Sequence, residues 1–284
     1  MIGLSEIPNL RCFDQQAMNT LFSLRIEDPD PAHALRTAGA CFRELERLES
    51  ALSRYREGSD VSRINALQAG ERLFLEEATY ECLKLAAVAY QATGGLFDVT
   101  LGSRIEHRKR KHEGDPPPLT GRIELAPDRP LATCAEPGRE IDLGGIGKGY
   151  ALDRMALILR DAGIESALLA CSGSTMLALG PRVWPASLQG DDREEKIELR
   201  EQALSASGTG FQGAHILHPD ETAAQSAFRR VWVVAASAAM ADAFSTAVLL
   251  MNEEDIAELK ANEIRPLAIY GESPDEPHEI KRLV

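Results

Sequence analysis

The sequence predicts an α+β fold of mixed sheets with packed helices, and three observations carry that expectation. Residues Thr20 to Ile26, "TLFSLRI", alternate apolar and polar side chains as a half-buried strand does. Directly after it, Ala34, Ala38, Cys41, Leu45, Leu48 and Leu52 recur at helical spacing. Farther on, the apolar "RVWVVAA" runs into "SAAMADAFSTAVLLM", yet strands and helices never settle into the regular βα period of a doubly wound sheet.

Taken in order, the elements follow from local chemistry. Asp30 is a helix N-cap with Pro31 at the first helical position, and the helix is expected to run to about Gly58. A second helix spans about Glu76 to Thr93 and stops at Gly94-Gly95, because glycine readily takes the left-handed conformation of a C-cap. The charged segment from Gly102 to Gly121 holds three successive prolines and reads as an exposed loop joining two halves, its basic cluster Arg108 to Lys111 solvated. Short strands are expected at Arg139 to Leu143, Ser166 to Cys171, Thr175 to Leu179 and Ile197 to Leu199. The strand Arg230 to Ala236 leads into a helix from Ser237 to Met251.

Composition narrows the partners. The 284 residues can bury a large core as one domain or two interleaved lobes, and 44% hydrophobic with 26% charged residues is an ordinary globular balance. With 31 Lys plus Arg against 44 Asp plus Glu, the formal charge of −13 argues against nucleic acid as a partner. A small anion remains compatible with an acidic chain, since a helix N-terminus and a placed cation suffice to bind it. The five cysteines are scattered without a C-x-x-C pair and read as reduced, mostly buried thiols. The N-terminal residues lack a basic region followed by an apolar run, and no apolar stretch reaches the ~18 residues of a membrane span. The expectation is a cytoplasmic protein, or a periplasmic or membrane-anchored one if the sequence is trimmed at its start.

Four segments could carry chemistry. "IDLGGIGKGYALDR" places four glycines between a strand end and a helix, but it matches neither the G-x-x-x-x-G-K-[ST] phosphate loop nor the G-x-G-x-x-G dinucleotide pattern. An anion site at the helix start, with Lys148 added, and a purely structural tight turn both stay open. In "SAAMADAFSTAVLL", Asp242 and Thr246 lie four apart on one helix face, where they could share a hard cation if other oxygens completed its shell; a Thr bonding back to a carbonyl is the plainer alternative. "GAHILHPD" carries His215 and His218, either of which could serve as a general base. In "TGGLFDVT", Phe97 and Asp98 could pack against and hydrogen-bond a flat heterocycle, or Phe97 could simply fill core.

In this order, "LESALSRYREGSDVSRIN", "TGGLFDVTLG", "IDLGGIGKGYALDR", "HILHPD" and "ASAAMADAFSTAVLL" closely resemble the ApbE family, the FAD:protein FMN transferases. The match runs from about Met18 to Met251, leaving residues 1–17 as an N-terminal extension of a single domain over 18–284. The resemblance implies a two-lobed, T-fold-like domain that binds FAD and Mg2+, breaks the pyrophosphate and attaches FMN through a phosphoester to a Thr or Ser of an acceptor protein. Exported members act on subunits of membrane redox pumps. By the same resemblance, Asp242, Thr246 and the carbonyl of Gly145 hold the metal. FAD meets Met18, Tyr55, Leu96, Phe97, Asp98, Asp142 and Lys148, and His215 lies by the reacting phosphate as the first candidate for a base.

The chain departs from the family pattern at three places. Met18-Asn19-Thr20 stands for Met-Gly-Thr, Ser172-Gly173 for Gly-Gly, and His218-Pro219-Asp220-Glu221-Thr222 for Asp-Pro-x-Thr-Gly. The last departure keeps two alternatives in view: an FAD pyrophosphatase releasing FMN and AMP, and a flavin-binding protein without catalysis.

Overall fold

A two-residue turn sets the first hairpin. β1 (Leu10–Ala17) and β2 (Thr20–Glu27) pair antiparallel with Ala17 opposite Thr20, so Met18 and Asn19 alone reverse the chain. Both residues hold positive φ, 49° and 58°, as a type I′ turn requires, and its twist matches that of the flanking strands. Asparagine tolerates this region better than most residues, so Asn19 does here what a glycine would do. The computed structural model describes residues 8–110, 114–171, 173–208, 216–219, 226–274 and 279–284. Within it, the stretch expected to be an extension is a strand of the main sheet from Leu10 onward.

α1 (Pro31–Leu52) starts as expected, with the Asp30 carboxylate accepting from Ala32 N, and all six apolar positions of its stripe are buried. It ends earlier than Gly58. The Ser53 hydroxyl accepts from the backbone N–H groups of Tyr55 and Arg56 and offers the chain an alternative to another helical turn. A short α2 (Asp60–Asn65) and β3 (Arg72–Phe74) follow, and α3 (Glu77–Ala92) stops at Gly94 and Gly95, both at positive φ.

The segment expected to be loop from Gly102 begins instead as α4 (Gly102–Lys109). Gly102 donates its N–H to the carbonyl of Glu140, and a Cβ at this position would collide with that same carbonyl. His107, Arg108 and Lys109 fill its last turn, where positive charge is favoured by the helix dipole. Only Gly102 is buried, so the helix has no apolar stripe to announce it.

β4 (Arg122–Leu125) and β5 (Leu131–Glu136) join β3 in a three-stranded sheet of order β3-β5-β4. The expected strand at Arg139 to Leu143 is irregular backbone with a single bridge, Glu140 to Leu101. There the Asn65 side chain takes the place of a neighbouring strand, accepting from Ile141 N and donating to Ile141 O at 2.7 and 3.0 Å.

The second half supplies α5 (Gly147–Asp161), β6 (Ser166–Cys171), β7 (Thr175–Leu179), β8 (Trp184–Gln189), β9 (Glu194–Leu199) and β10 (Gln202–Gly208). β11 (Arg230–Ala235), α6 (Ala238–Val248), α7 (Glu253–Ala261), β12 (Ala268–Glu272) and β13 (Ile280–Arg282) complete the described elements. The main sheet has eight strands in the order β1-β2-β6-β7-β10-β11-β12-β13, each paired antiparallel with its neighbours. The pairs in the two smaller sheets are antiparallel as well, so among the described strands the sheets are not the mixed ones expected, while the α+β class is as expected.

Alternation along the strands divides the apolar residues between two faces. Ala167, Leu169, Val231 and Val233 belong to the large core with α1, α5 and α6, whereas Leu168, Trp232 and Val234 face the other way. The hairpin β8–β9 covers that second face with Trp184, Ala186 and Leu188. The five cysteines are unpaired, and four of them are buried. Among the described residues, no helix is long and apolar enough to cross a membrane.

Candidate active site

The site is built where α6 meets α5. Asp242 and Thr246 share a face of α6, and Asp242 is buried at 5% exposure. One Asp242 oxygen, Oδ2, accepts from the backbone N–H of Gly149 at 3.2 Å, and the other, Oδ1, accepts from the Ser205 hydroxyl at 3.4 Å. The Thr246 hydroxyl does bond back along the helix, donating to the Asp242 carbonyl at 3.1 Å. This bond uses its proton and leaves its lone pairs available, so the two readings of the pair are compatible.

The glycine segment makes the close packing that one of the two sequence readings expected, and it also brings bare backbone to the site. A Cβ on Gly149 would run into the Ala238 carbonyl, so this glycine lets α5 and the start of α6 pack backbone to backbone. Gly145 is different. A Cβ there would stand 3.1 Å from Phe97 and 3.2 Å from the Thr246 hydroxyl, so its bare backbone lies against the face that carries Thr246. At the start of α5, the Gly149 donor faces the carboxylate of Asp242, an anion the protein supplies itself.

Lys148 sits beside this pair, its ammonium 3.9 Å from Asp242 Oδ2 while donating to the Gly144 carbonyl at 2.8 Å. The Asp242 charge holds the Lys148 ammonium above its usual range, against the opposing effect of burial. The side chain therefore remains a cation in the site.

Around this centre the remaining residues line one cavity of about 830 Å³, with Met18, Tyr55, Leu96, Phe97, Asp98 and Asp142 in its wall together with Gly145, Lys148, Asp242 and Thr246. Met18 is fixed by its backbone N–H, which donates to Glu49 at 2.9 Å. Phe97 is 4% exposed and belongs to the core as well as to the cavity. The Asp98 carboxylate is taken up by Thr100 and by Arg139 at 2.9 Å, which orders the loop that presents Leu96 and Phe97. Tyr55 is exposed at the rim.

Sequence reasoning missed the cations that surround Asp142. Arg54 donates to Asp142 at 3.2 Å, to Glu140 at 2.7 Å and to the Gly102 carbonyl at 2.7 Å, and Lys109 stands 3.8 Å from the same Asp142 oxygen. Lys109 also donates to the Tyr55 hydroxyl at 3.2 Å. Part of the basic cluster expected to be merely solvated thus reaches the cavity wall, where Arg108 joins it. Arg54 stands next to Tyr55 in sequence, but its acidic partners are 86 and 88 residues away, beyond any local spacing signal. His215, Ser172, Asp220, Glu221 and Thr222 lie outside the described residues. Among the described residues, no cluster of three or more His, Cys, Asp or Glu is placed to hold a metal, so a cation here would depend on one carboxylate and neutral oxygens.

The model of the ApbE family matches residues 18–269, nearly the whole chain and every described site residue. The chain belongs to the ApbE family. It is 26% identical to a Vibrio cholerae relative named FAD:protein FMN transferase, over 89% of this chain and 85% of the relative. A Buchnera aphidicola relative of the same name is 21% identical over 83% of this chain and 78% of its own length. Among solved structures, the ApbE protein from Thermotoga maritima superposes with a TM-score of 0.82 at 24% identity, covering 96% of both chains. The apo form of the Pseudomonas stutzeri flavinyl transferase ApbE gives 0.81 at 23% identity, over 96% of this chain and 93% of the other. These likenesses show that the ApbE fold is shared.

Proposed function

We propose that this chain is a Mg2+-dependent FAD:protein FMN transferase, which cleaves FAD and joins FMN to a Thr or Ser of an acceptor protein. The observation that carries the reading is convergence: Asp242, Thr246, Gly145 and Lys148 meet in the cavity that also takes Met18, Tyr55, Leu96, Phe97, Asp98 and Asp142. Membership of the ApbE family and the names of its relatives agree with it.

The donor set suits the metal. Carboxylate, hydroxyl and carbonyl are hard oxygens, and a set with only one charge suits Mg2+, which usually keeps waters and takes substrate phosphate oxygens into its shell. Thr246 has lone pairs to give, and Gly145 brings its backbone against the same helix face. When bound, Mg2+ would neutralise negative charge growing on the phosphoryl and leaving oxygens.

The protein's own groups do the rest. Lys148 holds a second positive charge beside the diphosphate, and Leu96 and Phe97 give an apolar wall to an aromatic ring system. Asp142, fixed by Arg54 and by the N–H of Gly144, pins the loop from which Gly145 projects. The acceptor oxygen attacks the FMN phosphorus, the P–O–P bond breaks, and AMP departs. The acceptor proton passes to a base, for which His215 is the first candidate and a carboxylate near the metal the second.

Incubation with FAD, Mg2+ and a protein or peptide bearing candidate Thr and Ser residues tests this directly. A covalent FMN adduct seen by mass, absent when EDTA is added, is the expected result. The His218 to Thr222 segment keeps one second reading in play, a pyrophosphatase in which water replaces the acceptor. Stoichiometric AMP and FMN without adduct would favour it, and FAD left intact would defeat both. The acceptor, a redox-pump subunit among the possibilities, is to be identified by the same adduct.

A further inference from the structure

The seam between β10 and α6 contains buried hydroxyls. Ser205 and Ser207 lie two apart on β10 and so share the face turned to α6, which carries Asp242 and Ser245. Ser205 and Ser245 are both 0% exposed, and Thr175, opposite Ser205 in the sheet, is 2% exposed. Their hydroxyls form one connected chain: Ser207 to Ser245 at 2.9 Å, Ser245 to Ser205 at 3.2 Å, Thr175 to Ser205 at 3.1 Å, and Ser205 to Asp242 Oδ1 at 3.4 Å.

Counting protons orients the bond between Ser205 and Asp242. A carboxylate only accepts, so Ser205 must give its single proton to Asp242. Its lone pairs then face Thr175 at 3.1 Å and Ser245 at 3.2 Å, and Ser245 has the Asp242 carbonyl at 3.0 Å as a second acceptor for its one proton. Ser245 receives in turn from Ser207, which stands in the cavity wall. Ser205 thus donates to the Asp242 carboxylate, while Ser245 also meets Asp242 at its backbone carbonyl. Alanine at position 205 would fill the same space without a polar group to satisfy, but it would leave Asp242 Oδ1 without its serine donor.

We propose that Ser205 is a positioning residue for the metal-binding carboxylate: its hydroxyl bonds Oδ1 and so fixes the orientation that Asp242 would present to a cation. This rests on the reading of Asp242 as a metal ligand. Partners of this kind usually alter metal affinity by roughly 10- to 100-fold when they are lost.

Mn2+ binding, followed by the electron paramagnetic resonance signal of the free ion, tests this without reference to turnover, on protein alone and with FAD. Ser205→Ala is expected to weaken Mn2+ binding by about 10-fold or more. Thr175→Val, which removes an equally buried hydroxyl that does not touch Asp242, should bind Mn2+ as the wild type does. Ser205→Cys keeps the space filled with a weaker donor, and it should still lower the affinity even if the alanine variant fails to fold. Wild-type affinity in whichever Ser205 variants fold, while Asp242→Asn loses Mn2+, would overturn the assignment and leave the metal reading standing. Equal losses in Thr175→Val and Ser205→Ala would overturn it too, because the seam would then act only as structure. A wild-type protein that takes up no Mn2+ even with FAD would bring down the metal reading and this assignment together.

Discussion

Both oxygens of Asp242 are engaged by the protein, one by a backbone N–H and the other by a serine hydroxyl, so the carboxylate is oriented before any ligand arrives. Asp242→Asn keeps the shape and removes the charge. FMN transfer should fall by at least the roughly 10- to 100-fold that loss of a mere supporting partner costs, while the thermal midpoint stays near the wild-type value; a transfer assay beside a melt checks both. Lys148→Ala should weaken FAD binding more than it lowers stability, because the ammonium neighbours Asp242 in the cavity wall; a flavin titration beside the same melt decides it. The Asp242 and Thr246 pair was legible in the sequence because helical spacing alone puts both on one face. Arg54 and the serines of β10 were not legible, because their roles arise from contacts made across long stretches of chain.

At the scale of elements, α5 and α6 hold each other by exchanged contacts. Asp242 of α6 receives the N–H of Gly149 on α5, and Asp153 of α5 receives the first N–H groups of α6, Ala238 and Ala239, both at 2.8 Å. Gly149→Ala would force these helices apart and should cost about 3 kcal/mol or more, read by urea unfolding. Burial lifts the Asp153 carboxyl from 3.8 to about 6, although its two N–H partners pull the other way. Between those values the folded state holds a proton that the unfolded chain releases. The stability due to this group is therefore complete below about pH 4 and lost as the pH rises through 6. Asp153→Asn removes the titration, so the stability of wild type relative to the variant should decline from pH 4 to 6; a constant difference would refute this. Elements with a full apolar stripe or strong alternation, α1, α3, α6, β2 and β11, could be read in advance. α4 has only a glycine buried, and the stretch at Arg139 to Leu143 is completed by the Asn65 side chain; neither leaves a periodic trace.

At the scale of the molecule, the α+β class was legible because long helices and alternating strands occur without a repeating βα unit, but the order of eight strands was not. Sheet order depends on pairings such as β2 with β6, which join segments far apart in sequence. The main sheet separates two jobs. Its helix-bearing face and the β10–α6 seam build the cavity, while Trp184 of β8, fully buried, anchors the hairpin on the opposite face. Trp184→Ala should cost roughly 3–5 kcal/mol of stability and leave flavin affinity in the folded protein unchanged, measured by unfolding and by titration. Among the described residues, the cavity wall draws none from β8 or β9. A molecule immobilised through the β8–β9 hairpin should therefore keep its transfer to a dissolved acceptor, whereas one tethered through α4, whose Arg108 and Lys109 stand in the cavity wall, should lose part of it.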